Sequence, residues 1–285
     1  MTKVLVTGAA GVLGRELVPL IERDGGFALR LTDAVPLETS HEFFRADLAR
    51  WEEAERLCDG VDEVVHIAAI HPWKPYTPAQ YIDCNIKATW NVLQAAANAG
   101  VQRVIYTSSV AAMGYKPEFP GQLPFDESKP CRPAEDLYGI SKHVGEQFCE
   151  MFRAQKGLSY VALRPGCFIP RPDDDPVFGL GLLTLWLHRS DVAAAHFLAL
   201  KSGVRNEAIL VAAKVPFTHA DAPALLADAP PVILRYFPAA GLLAARGIQL
   251  PKSISPCFNI EKAERLLGYH PAVNFREWVD RVCGT

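Results

Sequence analysis

The stretch Val4-Leu5-Val6-Thr7-Gly8-Ala9-Ala10-Gly11-Val12-Leu13-Gly14 places three glycines between an apolar run and an amphipathic segment. The apolar run predicts a β-strand, and the residues that follow, 13–23, predict an α-helix. In this order the first glycine permits a tight turn, the second lets the backbone approach a pyrophosphate, and the third lets the helix pack closely on the strand. Free N–H groups at the start of the helix favour bound phosphate. The stretch therefore predicts a dinucleotide-binding turn.

The acidic residue Asp33 strengthens this interpretation, because it follows the turn at about the spacing expected for a carboxylate that binds ribose hydroxyls. A structural glycine turn without a ligand is the alternative. The strand before the turn, the helix after it and the acidic residue together favour the nucleotide. We expect the nucleotide-binding residues of this turn to be Gly8, Gly11, Val12 and Leu13.

Length, composition and charge exclude several classes of protein. The chain has 285 residues, of which 49% are hydrophobic, enough for one large domain or a domain with a smaller lobe. A net charge of −3 without a basic block argues against a nucleic-acid partner. Seven cysteines without a CxxC pair argue against a zinc site or a disulfide framework, no histidine pair has the spacing of metal ligands, and free thiols fit a reducing cytoplasm. The longest apolar run, residues 177–187, is too short to span a membrane, and a strand at the N-terminus leaves no room for a signal peptide.

Short β-rich runs alternate with helical patterns over the first two hundred residues, which is typical of a parallel sheet covered by helices on both faces. Strands are predicted at residues 3–7, 28–32, 43–45, 63–67, 103–107, 160–163 and 208–212. Helices are predicted at residues 13–23, 51–58, 79–99, 137–155 and 192–200. We therefore expect an α/β fold with a doubly wound parallel sheet of the Rossmann type, and ligands at the carboxyl ends of its strands.

The pattern changes after residue 165, where proline-rich turns and short helical pieces replace the regular alternation. We assign residues 1–165 to a dinucleotide-binding Rossmann domain, to which residues 190–213 return. Residues 166–189 and 214–285 form the predicted substrate-binding lobe, a small C-terminal addition over the edge of the sheet.

Three residue types suited to proton transfer meet at the predicted ligand edge. Tyr138 and Lys142 lie four residues apart on a predicted helix and share a face, and Ser109 follows the predicted strand 103–107. A tyrosine loses its proton near pH 10, but a neighbouring Lys⁺ and a positive nicotinamide ring would lower that pKa. Tyr138 could then accept a hydroxyl proton as hydride leaves the same carbon, while Ser109 holds the substrate oxygen. An ordinary half-solvated helix face is the alternative.

Seven motifs in order resemble the extended short-chain dehydrogenase/reductases, the NAD-dependent epimerase/dehydratase family. They are Thr7-Gly8-x-x-Gly11-x-x-Gly14, Asp47-Leu48, His66-Ile67-Ala68-Ala69, Asn85-x-x-Ala88-Thr89-x-Asn91, Tyr106-Thr107-Ser108-Ser109, Tyr138-x-x-x-Lys142 and Arg164-Pro165-Gly166. The match runs from residue 2 to about residue 212, and residues 258–271 resemble the closing helix and turn of the family.

The resemblance implies that Ser109, Tyr138 and Lys142 are the catalytic residues of an enzyme that uses NAD. Asp33 would bind the adenine ribose and favour NAD over NADP, since a carboxylate repels a 2′-phosphate. The other residues that would line the cofactor site are Asp47, Leu48, Ile67, Ala68, Ala69, Thr107, Tyr138, Lys142 and Pro165. Asn85 would brace the active-site backbone, with an ordinary helix-face asparagine as the alternative.

Departures from the family pattern bear on the reaction. Val110 and Ala111 stand where dehydratases carry an acidic pair, which argues against dehydration. Residues 165–191 are few and poor in basic side chains, which argues against the diphosphate clamp of a nucleotide-sugar epimerase. The basic side chains of that segment are Arg171, His188 and Arg189, and residues 214–257 could add Lys214, Arg235, Arg246 and Lys252.

Residues 182–191 are similar to uronate dehydrogenases of this superfamily, which oxidise free sugar acids. That branch has polar residues after the catalytic serine and a hydroxyl residue where this chain has Cys167. Residues 70–76 should border the substrate, so we predict His71 and Trp73 as substrate-binding residues beside Ser109 and Tyr138. A surface loop is the alternative.

Three hypotheses follow. The first is an NAD-dependent oxidoreductase acting on a hydroxyl of a sugar, sugar acid or similar small substrate. The second is a nucleotide-sugar epimerase with tightly bound NAD, and the third is a non-catalytic nucleotide-sensing protein on the same fold. The resemblance also makes the predicted helices 79–99 and 137–155 candidates for a homodimer interface.

Overall fold

A seven-stranded parallel sheet runs through the molecule, in a computed structural model that describes residues 1–119, 121–133 and 136–284. The strands are β1 (Thr2–Thr7), β2 (Phe27–Asp33), β3 (Glu42–Arg45), β4 (Glu63–His66), β5 (Arg103–Thr107), β6 (Ser159–Pro165) and β7 (Glu207–Val211). Their order in the sheet is β3-β2-β1-β4-β5-β6-β7, with every neighbouring pair parallel. The order reverses between β1 and β4, where open α/β sheets bind their ligands. The predicted doubly wound α/β fold is confirmed.

Helices cover both faces of this sheet. They are α1 (Val12–Asp24), α2 (Trp51–Cys58), α3 (Pro78–Tyr81), α4 (Ala88–Asn98), α5 (Leu137–Lys156), α6 (Pro176–Gly181), α7 (Arg189–Lys201), α8 (Ala222–Ala227), α9 (Ala229–Tyr236), α10 (Glu261–Leu267) and α11 (Phe275–Cys283). Short 3₁₀ segments span Val110–Met113, His219–Asp221 and Pro238–Arg246. Within the described part of the chain, no helix has both the length and the apolar character that crossing a bilayer requires.

The sheet is buried on both sides, as parallel sheets are. Successive residues of β1 point to opposite faces, so Val4 and Val6 pack into one hydrophobic cluster and Leu5 into the other. Phe275 and Trp278 of α11 belong to the same cluster as Val4 and Val6. The C-terminal segments therefore share the core of the sheet and extend it beyond β7.

One predicted helix differs from the structure in its winding. The prediction was a single helix over residues 79–99, whereas a π-helical stretch, Ile82–Lys87, separates α3 from α4. A π turn accommodates one more residue than an α turn and is frequent at functional sites. Here it holds the buried Asn85, whose side-chain amide bonds both the N–H and the carbonyl of Ile70, at 2.8 and 3.0 Å. The expected bracing role of Asn85 agrees with these contacts.

Candidate active site

The glycine turn after β1 forms a cradle with no room for side chains. Gly8 has a φ of +71°, and a Cβ on it would lie 2.8 Å from the backbone nitrogen of Ala68. A Cβ on Gly14 would overlap the backbone of Ala9, so this glycine lets α1 pack against the turn. Gly11 caps α1 without any side-chain hydrogen bond, which leaves N–H groups of the first turn available to an anion. The cradle fits a dinucleotide pyrophosphate.

A cleft of about 460 Å³ opens along the carboxyl ends of β1, β2, β4 and β5. The predicted cofactor residues that line it are Gly8, Gly11, Val12, Leu13, Asp33, Asp47, Leu48, Ile67, Ala68, Ala69, Thr107, Tyr138 and Lys142. Pro165 lines a smaller pocket next to the cleft. Sequence reasoning missed the opposite wall, where Phe168, Ile169 and Pro170 face the cleft from beyond the end of β6.

Asp33 ends β2 at the mouth of the cleft. Its carboxylate accepts hydrogen bonds from the backbone N–H groups of Ala10, at 2.9 Å, and Val35, at 3.1 Å. These bonds fix the carboxylate beside the glycine turn. Such a position suits a group that accepts hydrogen bonds from ribose hydroxyls.

The loop after β4 is held by a buried hydroxyl that sequence reasoning also missed. The Thr7 hydroxyl accepts hydrogen bonds from the backbone N–H groups of Ile67 and Ala68, at 3.1 and 3.2 Å. It also contacts Nδ1 of His66 at 2.8 Å. Burial lowers the pKa of His66 to about 3, so the ring is neutral at neutral pH. The polar Thr7 in an apolar strand was the available signal.

Tyr138 and Lys142 lie one turn apart on α5 and are both buried. The Lys142 ammonium donates a 2.7 Å hydrogen bond to the carbonyl of Thr107 and lies 5.8 Å from the centre of the Tyr138 ring. Burial lowers the pKa of Lys142 to about 7. Ser109 caps the 3₁₀ segment that follows β5, and its Oγ accepts from the N–H of Ala111 at 3.1 Å.

Burial is the main influence on the pKa of the Tyr138 phenol. Burial raises its pKa above the ordinary value, and a hydrogen bond with Ser109 offsets only part of that rise. The prediction of a lowered pKa combined Lys142 with a positive nicotinamide ring. The protein groups alone do not lower the pKa, because the cost of burying the phenolate exceeds the stabilisation they give it. What the protein does provide is a serine and a lysine on either side of one tyrosine.

A buried ion pair lies next to the end of β5. Ser108 donates a 2.5 Å hydrogen bond to Glu146, whose carboxylate pairs with Arg164 through contacts of 2.8 and 2.7 Å. All three residues are buried. Sequence reasoning missed this network, although the position of Glu146 four residues after Lys142 places both on one helix face.

The same region brings three metal-binding residue types together. Donor atoms of Cys131, His143 and Glu146 lie within 4.8 Å of one another. The guanidinium of Arg164 pairs with Glu146 and contacts the Cys131 sulfur at 3.3 Å. A cation in this cluster would face that fixed positive charge, so the arrangement favours the ion pair over a metal.

A second pocket, of about 50 Å³, lies on the far side of Tyr138. Of the predicted substrate residues, His71, Ser109 and Tyr138 line it, whereas Trp73 lines the main cleft with 45% of its surface exposed. The His71 and Tyr138 rings meet edge to face with centres 4.8 Å apart. Burial and the charge of Lys142 lower the pKa of His71 to about 4.

Comparison with known proteins bears on this geometry. The model of the NAD dependent epimerase/dehydratase family matches residues 4–170. The chain belongs to this family. It is therefore similar to enzymes that use NAD, as the motifs predicted.

The similar proteins include both dehydrogenases and epimerases. A uronate dehydrogenase from Pseudomonas syringae pv. tomato is 30% identical over 194 residues, which cover 67% of this chain and 66% of that protein. A short-chain dehydrogenase/reductase superfamily protein from Agrobacterium tumefaciens, solved with bound NAD, superposes with a TM-score of 0.75 over 99% of this chain and 96% of that one, at 20% identity. UDP-glucose 4-epimerase from Thermotoga maritima superposes with a TM-score of 0.71 over 99% and 98%, at 21% identity. At these identities the two solved structures establish the fold alone.

Proposed function

We propose that this protein is an NAD-dependent oxidoreductase of the extended short-chain dehydrogenase type, which acts on a hydroxyl or carbonyl carbon of a sugar, sugar acid or similar small substrate. The observation that carries this proposal is the position of Tyr138, which lines both the dinucleotide cleft and the small pocket beyond it. A proton-transfer group at that boundary can reach a substrate oxygen while the cofactor occupies the cleft.

The proposed catalytic residues are Ser109, Tyr138 and Lys142. Bound NAD supplies the hydride acceptor or donor. Tyr138 moves the proton between its phenol oxygen and the substrate oxygen, and Ser109 bonds that oxygen as its charge changes. Lys142, fixed on the Thr107 carbonyl, stabilises the phenolate form of Tyr138 through its positive charge.

The glycine turn, Asp33 and the loops after β3, β4 and β5 form the proposed NAD site. Gly8 and Gly11 would admit the pyrophosphate, and Asp33 would bind the adenine ribose and select NAD over NADP. The domain assignment from the sequence also stays a proposal, in which residues 166–189 and 214–285 supply the substrate walls. The seven free thiols are consistent with the cytoplasm as the proposed compartment.

A homodimer is the proposed assembly. Apolar side chains remain exposed where α4, α5 and the π-helical stretch meet solvent, and these are Ile82, Trp90 and Ile140 at 50, 36 and 40% exposure. Contiguous exposed apolar patches are typical of association sites. A second copy of the chain, pairing the same helices about a two-fold axis, would cover them.

The experiment that tests the function follows NADH absorbance when purified protein and NAD⁺ are mixed with free uronic acids, aldoses and small alcohols. Tyr138→Phe should bind NADH normally and turn over at least about 100-fold more slowly. A steady rise in absorbance that depends on Tyr138 supports a dehydrogenase. Interconversion of nucleotide sugars without net NADH, by protein that retains NAD through purification, would instead establish the epimerase. NADH binding without either activity would establish a nucleotide-sensing protein.

A further inference from the structure

Neutral polar side chains and apolar side chains line the small pocket beyond Tyr138. Besides Ser109 and Tyr138, the polar ones include Tyr115 and Cys167. Val110, Pro165, Phe168 and Leu185 are among the residues that form the walls. The described residues that line this pocket include no lysine, arginine, aspartate or glutamate. The one histidine among them, His71, is neutral at neutral pH because its pKa is lowered to about 4.

The backbone fixes the floor of this pocket. Cys167 donates a 2.6 Å hydrogen bond from its N–H to the carbonyl of Leu185, and its own carbonyl accepts from the N–H of Leu187 at 3.0 Å. A Cβ on Gly166 would collide with the Leu185 carbonyl, so the two segments are in close contact. Leu185 is thus held beside the end of β6. The fold therefore sets the backbone position of this part of the apolar wall.

Two basic side chains of residues 165–191 pair with carboxylates. Arg171 pairs with Asp175 at 2.6 Å and lies over the Trp186 ring, with its guanidinium 5.0 Å from the ring centre. Arg189 pairs with Glu16 at 2.7 Å. Both residues belong to segment 165–191, whose few basic side chains already argued against a diphosphate clamp.

Two basic residues of the C-terminal lobe also pair with carboxylates. Lys214 pairs with Glu264 at 2.6 Å, and Arg235 pairs with Asp221. Lys74 lines the main cleft but not the small pocket, and its ammonium lies 5.5 Å from the centre of the Trp73 ring. An acid group in the small pocket would lose its hydration and find no lysine or arginine among the described residues that line it, which is costly.

We propose that the substrate of this site is an uncharged secondary alcohol, or its ketone, that carries a compact apolar group on the reacting carbon. This inference rests on the proposed oxidoreductase function and replaces sugars and sugar acids by a less polar class of small substrate. In the oxidation the carbinol C–H bond breaks and its electron pair passes as hydride to NAD⁺, while the O–H proton passes to the phenolate oxygen of Tyr138, which has lost its own proton before this step. The C=O bond forms, NAD⁺ is reduced to NADH, and the apolar group rests against Val110 and Leu185.

The test compares three probes: cyclohexanol, D-galacturonate and UDP-glucose. We expect kcat/KM for cyclohexanol with NAD⁺ to exceed that for galacturonate at least about 100-fold, with no interconversion of UDP-glucose. A second readout avoids turnover. Calorimetric titration into the Tyr138→Phe variant with NAD⁺ should show cyclohexanol binding and no galacturonate binding.

A matched pair of variants locates the effect. Val110→Thr places a hydroxyl in the pocket at nearly constant volume, and we expect it to weaken cyclohexanol binding about tenfold. Val177→Thr makes the same change on α6 at a valine that is 54% exposed, and should leave binding unchanged. Equal effects of the two substitutions, with both variants folded by circular dichroism, contradict the pocket assignment.

The outcomes separate this inference from the function on which it rests. Turnover and binding of galacturonate but not cyclohexanol overturn the apolar substrate and leave the dehydrogenase intact. Absence of turnover and binding for all three probes also overturns the inference. In that case NADH titration decides the rest, because a protein that also fails to bind NADH is not the proposed oxidoreductase.

Discussion

Lys142 reaches across the end of β5 to donate its hydrogen bond to the Thr107 carbonyl, and Thr107 is itself held by a residue far along the chain. The Thr107 hydroxyl contacts Nε2 of the buried His196 at 2.8 Å, and Nδ1 of that ring contacts the Val192 carbonyl at 2.8 Å. A carbonyl can only accept, so Nδ1 carries the proton and Nε2 accepts from Thr107. The position of the proposed catalytic lysine therefore depends on α7 as well as on α5.

This contact predicts how stability depends on pH. Burial lowers the pKa of His196 to about 4, below the 6.5 of an unfolded histidine, so the unfolded chain binds the proton more tightly. The contribution of neutral His196 is complete above pH 6.5 and is lost as the pH falls towards 4. Between pH 7 and 5 this amounts to about 2 kcal/mol.

His196→Gln should remove that contribution. We expect the variant to be less stable than the parent at pH 7, and to lose about 2 kcal/mol less than the parent between pH 7 and 5. Urea denaturation at both pH values measures this difference. An unchanged difference between the two pH values would show that His196 does not titrate as proposed.

The glycine turn predicts that a side chain at Gly8 blocks NAD binding. A control glycine with a similar φ separates this effect from that of backbone strain. Gly8→Ala places a Cβ 2.8 Å from the backbone of Ala68, at the turn proposed to receive the pyrophosphate. Gly100→Ala is the control, because its φ of +75° imposes the same strain where no atom lies within 4 Å. Each substitution should cost about 1 kcal/mol of stability or more. Fluorescence titration with NADH should detect binding to the Gly100 variant and none to the Gly8 variant.

Asp33 predicts cofactor preference. Asp33→Asn keeps the shape and removes the charge, so a 2′-phosphate is no longer repelled and the bonds to the ribose hydroxyls weaken. We expect kcat/KM for NAD to fall about tenfold or more and the ratio of NAD to NADP efficiency to fall further. Asp24→Asn, at a carboxylate that pairs with Lys201 away from the cleft, should change neither value. An unchanged NAD-to-NADP ratio in the Asp33 variant would remove it from the ribose site.

The buried ion pair behind Ser108 predicts a large loss of stability. Glu146→Gln leaves the Arg164 charge buried without a counter-ion, and we expect the free energy of unfolding to fall by about 3 kcal/mol. Glu150→Gln removes an exposed carboxylate of the same helix that pairs with Arg153, and should have little effect. Guanidinium denaturation of both variants provides the comparison. Similar losses would mean that burial does not set the strength of the Glu146–Arg164 pair.

The proposed homodimer predicts a change of mass. Trp90→Glu places a charge at a partly exposed position of α4, next to Phe148 and Phe152, and we expect the protein to elute as a folded monomer in size-exclusion chromatography with light scattering. Phe119→Glu is the control, at an aromatic residue with 57% exposure outside α4 and α5. A parent protein that is already monomeric contradicts the homodimer, whatever the variants do.

Much of the fold could be predicted because its signals are local. The seven strands were predicted within two residues of their bounds, since apolar runs and turn residues report a strand over a few positions. The glycine turn and the Tyr138–Lys142 pair could be predicted from the sequence in the same way. A glycine pattern and a four-residue helical spacing constrain their geometry without reference to the rest of the chain. The π-helical stretch was missed because it depends on Asn85 meeting the distant backbone of Ile70.

By itself, the sequence determined the parallel sheet, the nucleotide turn and the three residues proposed for catalysis, because each follows from periodicity or spacing along the chain. Only the tertiary structure decided what surrounds them. The Leu185 wall, the Glu146–Arg164 pair and the His196 contact join residues 18 to 89 positions apart. Such contacts depend on how helices pack across the sheet, and residue order alone does not encode that packing in any short pattern.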